Sequence, residues 1–220
     1  MCFSATASFT AGAALLAVGG FTMRQIERPT ELPYASIPAL FGIQQLVEGA
    51  LWLSFPDGRS HLNDILTHIY AFFSHILWPI FVPVAVLLIE PEAWRRKLLW
   101  LFAMAGATSG LYLAYSWLMY PTTSLVVEDH ILYISPHFFI GPILALYIVG
   151  TCGSPLVSSH PSVRWFGLAV GVSLLTAYAF YAFWFISVWC FFAAIISVTI
   201  VLHFRHRQPA SSVCQTSATG

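Results

Sequence analysis

The sequence predicts an all-α fold, an integral membrane bundle of seven transmembrane helices with the N-terminus outside and the C-terminus in the cytoplasm. Hydrophobic residues make up 58% of the chain and charged residues only 8%, whereas soluble domains carry about 25% charged residues. A soluble fold of this composition would expose mostly apolar side chains, but a bilayer solvates them. Because one transmembrane helix takes about 20 residues, the 220 residues accommodate seven helices and short loops.

Seven apolar segments are separated by charged or proline-bearing breaks. Arg24 to Pro33 forms the first loop, and Pro56-Asp57-Gly58 is a turn signal. The weakest break lies between the last two segments, because positions 165 to 204 contain no Asp, Glu, Lys or Arg. That stretch is about twice the length of one span, so we expect a tight turn near 183–185. The predicted segments are 6–23, 34–55, 62–89, 98–119, 131–151, 163–183 and 185–204.

Basic residues predict the orientation of the bundle, because cytoplasmic loops carry an excess of Lys and Arg. With seven spans, eight of the nine basic residues fall on one side and only Arg59 on the other. We therefore expect a transmembrane domain over 1–205 and a disordered cytoplasmic tail over 206–220, which is rich in Ser, Thr and Ala. The eight residues on the cytoplasmic side are Arg24, Arg28, Arg95, Arg96, Lys97, Arg164, Arg205 and Arg207.

Composition also excludes several classes of function. The net charge is zero, which argues against nucleic acid as a partner, since binding to phosphates requires a basic surface. The only lysine, Lys97, lies in a predicted cytoplasmic loop, which excludes a retinal Schiff base inside the bundle. Cys2 and Cys190 lie toward the oxidising outer side, and they are the only pair predicted to be able to form a disulfide. Cys152 and Cys214 are expected to stay reduced.

Glu48 is the ionisable side chain that most needs an explanation. It falls within the second apolar segment, and no Lys or Arg lies inside any segment to pair with it. A charged carboxylate in a bilayer is costly, and an intramembrane acid is a candidate functional residue by default. Gln44 lies one turn away on the same helix face, and Gln45 is adjacent to it. We expect this polar stripe to face the interior of the bundle.

Histidines form a second pattern. His68 and His75 have the same spacing as His130 and His137, and a step of seven residues on a helix places both members of a pair on one face about 10 Å apart. The predicted topology puts these histidines and Glu48 in the outer half of the bundle, except His75, which falls near its middle. We therefore predict a polar site with Glu48, His75 and His137 within about 10 Å of one another, and with His68 and His130 nearer its mouth.

Three functions fit such a site. In the first, the histidines and Glu48 bind a divalent metal, either zinc or iron, since imidazole and carboxylate ligands do not select between them. Metal-bound water would then attack a lipid or small amphiphile, with Glu48 as a ligand or as the catalytic general base. In the second, Glu48 and the histidines carry protons in a transporter or sensor. In the third, the protein is structural or accessory. A bis-histidine haem held by His75 and His137 is a further alternative.

Three stretches resemble a bacterial family of uncharacterised multi-pass membrane proteins. They are the opening Met1 to Ala5, the element Gly42 to Gly49, and Ser187 to Ala194. The resemblance covers about 1–205 and implies a bacterial inner-membrane location, but it implies no activity. Seven spans with intramembrane histidines are also similar to the ceramidase and adiponectin-receptor group in architecture. That group carries His-x-x-x-His on its last helix, whereas this chain has His203 and His206 at spacing three.

Overall fold

The computed structural model describes residues 4–55, 61–135, 137–138 and 140–205. Within these ranges the chain forms seven helical segments and one β-hairpin. The predicted tail over 206–220 lies outside the described residues. The helices are α1 Ala5–Met23, α2 Leu32–Ser54, α3 His61–Ile89, α4 Ala93–Met119, α5 Gly141–Val157, α6 Pro161–Phe180 and α7 Ala182–Arg205.

Helix length and apolarity are compatible with a membrane protein. Among the described residues, five helices are long and apolar enough to cross a bilayer, namely α1, α3, α4, α6 and α7. The remaining two helices, α2 and α5, are not in this group, and the reason is different for each. Helix α2 has 23 residues but carries Gln44, Gln45, Glu48 and Ser54 in its second half, and α5 is apolar but has 17 residues. The prediction of a helical bundle built from membrane-length helices is therefore confirmed in this coarse form.

The break between the last two helices lies close to its predicted position. Helix α6 ends at Phe180, and a short 3-10 turn, Ala182–Trp184, opens α7. The residue between them, Tyr181, has φ −134° and ψ 40°, which is outside the helical region. A turn therefore separates two helices here, about two residues before the predicted 183–185.

The stretch before α5 corrects the sequence prediction. Instead of a helix from 131, the chain forms an antiparallel hairpin of β1, Thr123–Val127, and β2, His130–Ile134, and α5 begins only at Gly141. β-branched and aromatic residues dominate both strands, and these residues favour extended backbone. The purely all-α prediction is therefore wrong for this stretch. His130 and His137 do not share a helix face. The argument that placed them at the same depths as His68 and His75 therefore no longer holds.

Two helices contain a π-helical turn. Phe72–Leu77 interrupts α3, and Val149–Gly153 interrupts α5. A π-turn inserts an extra residue per turn and rotates the side chains that follow it, and such turns are frequent at functional sites. The turn in α3 contains Ser74 and His75, both of which are buried.

One end of the bundle, which we call the basic end, gathers parts of all seven helices and several predicted cytoplasmic arginines. Helix α1 contacts α7 there, since the Arg205 guanidinium lies 5.3 Å from the Phe21 ring centroid. The other contacts are Tyr34–His203 with 5.4 Å between ring centroids, Ser158 Oγ donating to Glu90 Oε2 at 3.0 Å, Arg95 Nη1 donating to the Val157 carbonyl at 2.6 Å, and Ser162 Oγ to His203 Nδ1 at 3.0 Å.

The hairpin covers the opposite end. The ring of Tyr133 in β2 stacks on Tyr70 of α3, with 4.3 Å between centroids and 6° between planes. The ring of His130 stacks on Trp184 at the start of α7 at 4.8 Å. The hairpin therefore connects α3 to α7 across this end of the bundle.

Candidate functional site

Glu48 lies in the interior of the bundle. Its side chain is 0% exposed, as are those of Gln44 and Gln45 on the same helix. The prediction that this polar stripe faces inward is confirmed. The neighbouring Gly49 packs against the ring of Phe9 in α1, so a larger side chain at position 49 would press on that ring.

The Glu48 carboxyl group receives one hydrogen bond from α7. Ser187 Oγ donates to Glu48 Oε1 at 2.7 Å, and Ser187 is itself fully buried. The side chains of Gln45 and Tyr70 also approach the carboxyl group. Among the described residues Glu48 Oε2 has no hydrogen-bond partner of good geometry. One oxygen of the acid is therefore fixed, and the other is open to a further partner.

A second polar contact extends the site along α2. The Trp78 indole donates from Nε1 to Gln44 Oε1 at 2.8 Å, and the Cys190 thiol lies beside the same amide. Together these side chains join α2, α3 and α7 through uncharged groups. We call them the Glu48 cluster, which consists of Gln44, Gln45, Glu48, Tyr70, Trp78, Ser187 and Cys190.

A small cavity adjoins the Glu48 cluster. Its volume is about 30 Å³, and its lining includes Trp78 and Cys190 of the cluster together with aromatic side chains from α2, α5 and α7. A cavity of this size has room for roughly one water molecule or two. The lining also includes Tyr147, Thr151 and the thiol-bearing Cys190, so such a water would have polar side chains beside it.

His75 lies inside the bundle but has its own neighbours. Its Nδ1 forms a 2.8 Å hydrogen bond with Ser74 Oγ, and its ring lies 4.7 Å from Phe138. Nε2 is buried without a hydrogen-bond partner among the described residues. Tyr147 of α5 donates to the Ser74 carbonyl at 2.6 Å, which holds the π-turn against α5. The predicted proximity of His75 to Glu48 stays a prediction.

The other three predicted histidines lie toward the hairpin end. His68 Nδ1 bonds the Asp64 carbonyl at 2.8 Å, and its ring packs at 5.9 Å from Trp117. His137, in the turn before α5, packs at 4.2 Å from Tyr120. His130 Nδ1 bonds the Glu128 carbonyl at 2.6 Å. Each histidine therefore has a local contact, and two of the three are outside any helix.

A metal centre was predicted from these residues. Within the described ranges, no three or more His, Cys, Asp and Glu side chains converge in a group that could hold a metal ion. The divalent metal and the hydrolase chemistry that depends on it stay predictions from the sequence. The Cys2–Cys190 disulfide is also untested, because Cys2 lies outside the described residues, while Cys190 and Cys152 are buried free thiols.

Sequence reasoning missed the partners that the structure gives to Glu48. Ser187, Tyr70 and Trp78 were not selected, because a serine or an aromatic residue in an apolar segment is usually a packing residue. A signal was nevertheless present: the stretches Gly42 to Gly49 and Ser187 to Ala194 carried the family resemblance. These two stretches meet in space through Glu48 and Ser187.

Comparison with known proteins identifies a family, but that family has no assigned function. The profile of a family of unknown function, DUF6629, matches residues 1–215. The resemblance to an uncharacterised family is thereby confirmed. No curated protein and no solved structure matches the chain.

Proposed function

The chain belongs to the DUF6629 family of unknown function, so its role must be inferred from its own site, and we propose that it is a multi-pass membrane protein in which Glu48 takes up and releases a proton. The class of function is a proton-coupled transporter or sensor. The observation that carries the proposal is the fully buried carboxyl group of Glu48, which is hydrogen-bonded to Ser187 and lies among uncharged side chains.

The proposal includes seven membrane crossings. Its support is the basic end, where α1, α3, α5 and α7 finish and α2, α4 and α6 begin. That alternation is what seven successive crossings require. Arg95, Arg164 and Arg205 lie at this end, and an excess of arginine marks the cytoplasmic side. We accordingly propose that the N-terminus is outside, that the C-terminus is cytoplasmic and that the protein lies in a bacterial inner membrane.

Topology is tested with reporters. A reporter that is active only in the cytoplasm, fused after Gly220, is expected to be active, and the same reporter inserted between Glu128 and Asp129 in the hairpin turn is expected to be inactive. The opposite pattern, with equal expression of both fusions, would overturn the orientation.

The free-energy cost of burying a charged carboxylate explains why Glu48 is suited to proton exchange. Burial of a carboxylate without a cation or a full set of hydrogen bonds costs several kcal/mol. The companions of Glu48 in the cluster are amides, hydroxyls, an indole and a thiol, and within the described part of the chain the well-formed hydrogen bond to the Glu48 carboxyl group comes from Ser187. The acid is therefore stable at this position as the neutral form, and ionisation requires that water or a cation reach Oε2.

A transition between two states follows from this geometry. With the proton bound, α2 and α7 are joined by the Ser187 bond. When the proton leaves, the carboxylate needs further hydrogen bonds, and widening of the adjacent 30 Å³ cavity would admit the water that supplies them. Proton binding would thus favour the closed packing of α2, α3 and α7, and proton release an open packing.

Proton flux in proteoliposomes tests the proposal. Purified protein is reconstituted with a pH-sensitive dye inside the vesicles, and an outside-to-inside pH step is applied. We expect faster internal acidification than in empty vesicles for the wild type and for Glu92→Gln, a matched control in which an exposed carboxylate is changed. We expect the rate of empty vesicles for Glu48→Gln. Equal rates for wild type and Glu48→Gln would contradict proton transport through this residue.

A further inference from the structure

Three surface recesses around the end of α7 form one continuous depression. The largest, about 740 Å³, lies at the basic end and is lined by His160, Ser162 and His203 among others. A second recess of about 480 Å³ runs between α6 and α7. A third, of about 540 Å³, lies between α1 and the end of α7.

Shared lining residues establish the continuity. Trp165 and Ala169 line both the basic-end recess and the α6–α7 groove. Thr199 and Leu202 line both the basic-end recess and the α1–α7 groove. The two grooves therefore lie on either side of α7 and converge at its end.

The grooves and the recess differ in chemistry. The α6–α7 groove is lined mainly by apolar side chains such as Leu168, Val172 and Ile195, which are 47%, 55% and 50% exposed. From Trp165 to Thr176 it follows α6 for about 16 Å. The basic-end recess instead presents two imidazoles and a hydroxyl. The Ser162–His203 hydrogen bond at 3.0 Å and the His160–His203 ring contact at 4.8 Å hold these groups in place.

Positive charge lies at the convergence point. The Arg205 side chain lines the α1–α7 groove, and its guanidinium lies over Phe21 of α1. Arg164, at the start of α6, is exposed and donates to the Ser158 and Ser159 carbonyls beside His160. Two buried carboxylates lie on this side, and both have partners: Glu90 is bonded to Ser158 and Ser159, and Glu31 is paired with Arg28. Neither lines the recess.

We propose that this depression binds one two-chain anionic phospholipid, with one acyl chain in each groove beside α7 and the headgroup at the basic end among His160, Ser162, His203 and Arg205. Two apolar grooves that meet at one polar, positively charged recess match the shape and the charge of such a lipid. Basic pockets between helices on the cytoplasmic side are a recurring form of anionic lipid recognition. The inference rests on the membrane location proposed above, but it does not depend on the proton chemistry of Glu48.

Bound lipid is measured by native mass spectrometry of the full chain in mild detergent, after addition of a defined lipid. We expect phosphatidylglycerol to bind at one per chain. We expect lysophosphatidylglycerol, which has the charge but a single chain, to bind at least about tenfold more weakly, since loss of contact with two methylene groups alone corresponds to about that factor. We expect phosphatidylcholine, which has two chains but no net charge, also to bind more weakly, because it lacks the net negative charge that Arg205 would attract.

Two matched variants locate the site. Thr199→Trp places a bulky side chain where the α1–α7 groove meets the recess, and Thr108→Trp makes the same change on an exposed position of α4. Thr199→Trp is expected to lower phosphatidylglycerol binding about tenfold or more, while Thr108→Trp leaves it unchanged. Arg205→Gln, a surface change that leaves both grooves open, is expected to remove the preference for phosphatidylglycerol over phosphatidylcholine.

Equal loss of lipid in Thr199→Trp and Thr108→Trp would overturn the site. Equal binding of phosphatidylcholine would overturn the anionic headgroup, and equal binding of the lysolipid would overturn the two-chain arrangement. The proposed membrane location fails by a different result, which is recovery of the protein in the soluble fraction without detergent. Failure of the lipid site is thus distinguishable from failure of the proposed function.

Discussion

Ser187 Oγ and Glu48 Oε1 form a 2.7 Å hydrogen bond between residues that are 139 positions apart in the sequence. Both side chains are fully buried. The bond joins the second helix of the bundle to the last, and among the described residues it holds Glu48 Oε1 while Oε2 has no hydrogen-bond partner. The stability of the bundle and the properties of the site should therefore both depend on it.

A double-mutant cycle measures this bond. We expect Ser187→Ala and Glu48→Leu, which removes the acceptor oxygen, each to lower the free energy of unfolding, and the two changes to show a coupling of about 1 kcal/mol, which is typical of one net hydrogen bond. The matched control is Ser173→Ala, because the Ser173 hydroxyl is buried but bonds the Val170 carbonyl of its own helix. Coupling between Glu48 and Ser187 no larger than that between Glu48 and Ser173 would show that the bond contributes nothing.

Glu90 provides a pH-dependent prediction at the basic end. Burial by itself raises the pKa of the Glu90 carboxyl group, but hydrogen bonds from Ser159, Ser158 and the Glu92 amide outweigh it and hold the pKa below its ordinary value of 4.5. A lowered pKa in the folded state means that ionised Glu90 stabilises the fold above pH 4.5, and that this stabilisation is lost as the pH falls through the folded-state pKa.

Thermal unfolding of Glu90→Gln at two pH values tests this. At pH 7 we expect the variant to be less stable than the wild type by about 1.5–3 kcal/mol, the range for hydrogen bonds to a charged group. The difference should shrink as the pH falls below 4.5 and through the folded-state pKa, because the wild-type carboxyl group becomes neutral over that range. Glu92→Gln, on an exposed neighbour, is expected to show no such pH-dependent difference. A destabilisation that is equal at both pH values would point to packing instead of charge.

Gly106 is predicted to be irreplaceable at the α3–α4 contact. A Cβ atom at this position would overlap the Pro79 carbonyl oxygen, which belongs to rigid backbone. We expect Gly106→Ala to destabilise the bundle by about 1–3 kcal/mol, as overpacking does. At Gly20 a Cβ would meet no atom within 4 Å, and Gly20→Ala should be neutral or stabilising, because alanine has the higher helix propensity. Equal melting temperatures for the two variants would contradict this packing.

The hairpin turn is predicted to be strained. Glu128 and Asp129 have φ of 48° and 59°, the left-handed region that side chains other than Asn, Asp and Gly rarely adopt. We expect Glu128→Asn to stabilise the hairpin and Glu128→Val to destabilise it by about 1–2 kcal/mol, since a β-branched residue is least compatible with positive φ. Limited proteolysis of the hairpin compares the two variants. Faster cleavage of Glu128→Asn than of Glu128→Val would show that the turn has another conformation.

Metal analysis separates the proton site from the metal-dependent hydrolase that the sequence also suggested. The companions of Glu48 in the cluster are poor ligands for zinc or iron apart from the Cys190 thiol. We expect elemental analysis of detergent-purified protein to give no stoichiometric divalent metal. A stoichiometric metal that is lost in Glu48→Gln would refute the proton proposal and favour the hydrolase.

The helices and the inward stripe were predictable from the sequence because both depend on local patterns. Apolar segments separated by breaks such as Arg24 to Pro33 delimit the helices, and the cost of leaving an unpaired acid in an apolar environment predicts that Glu48 faces inward. These signals are contained within about 20 neighbouring residues, so they need no knowledge of the tertiary fold.

The hairpin and the pairing of the site were not predictable in the same way. A short apolar run such as 131–134 fits a buried helix as well as a strand by periodicity, and the pairing of β1 with β2 decides between them. The Glu48–Ser187 bond depends on how α2 packs on α7, which no local pattern specifies. The seven-residue spacing of His130 and His137 was misleading because it has meaning only on a helix.

Infrared difference spectroscopy of the protein in nanodiscs tests the protonation of Glu48 most directly. The carbonyl group of a neutral carboxylic acid absorbs at a higher frequency than a carboxylate or an amide does. A pH-dependent band at that frequency that is present in the wild type and in Glu92→Gln but absent in Glu48→Gln therefore reports the proton on Glu48. Our account predicts that band, and it predicts a shift to higher frequency in Ser187→Ala, because the carbonyl oxygen then loses its hydrogen bond. A spectrum in which Glu48→Gln removes no carbonyl band at any pH would contradict the account.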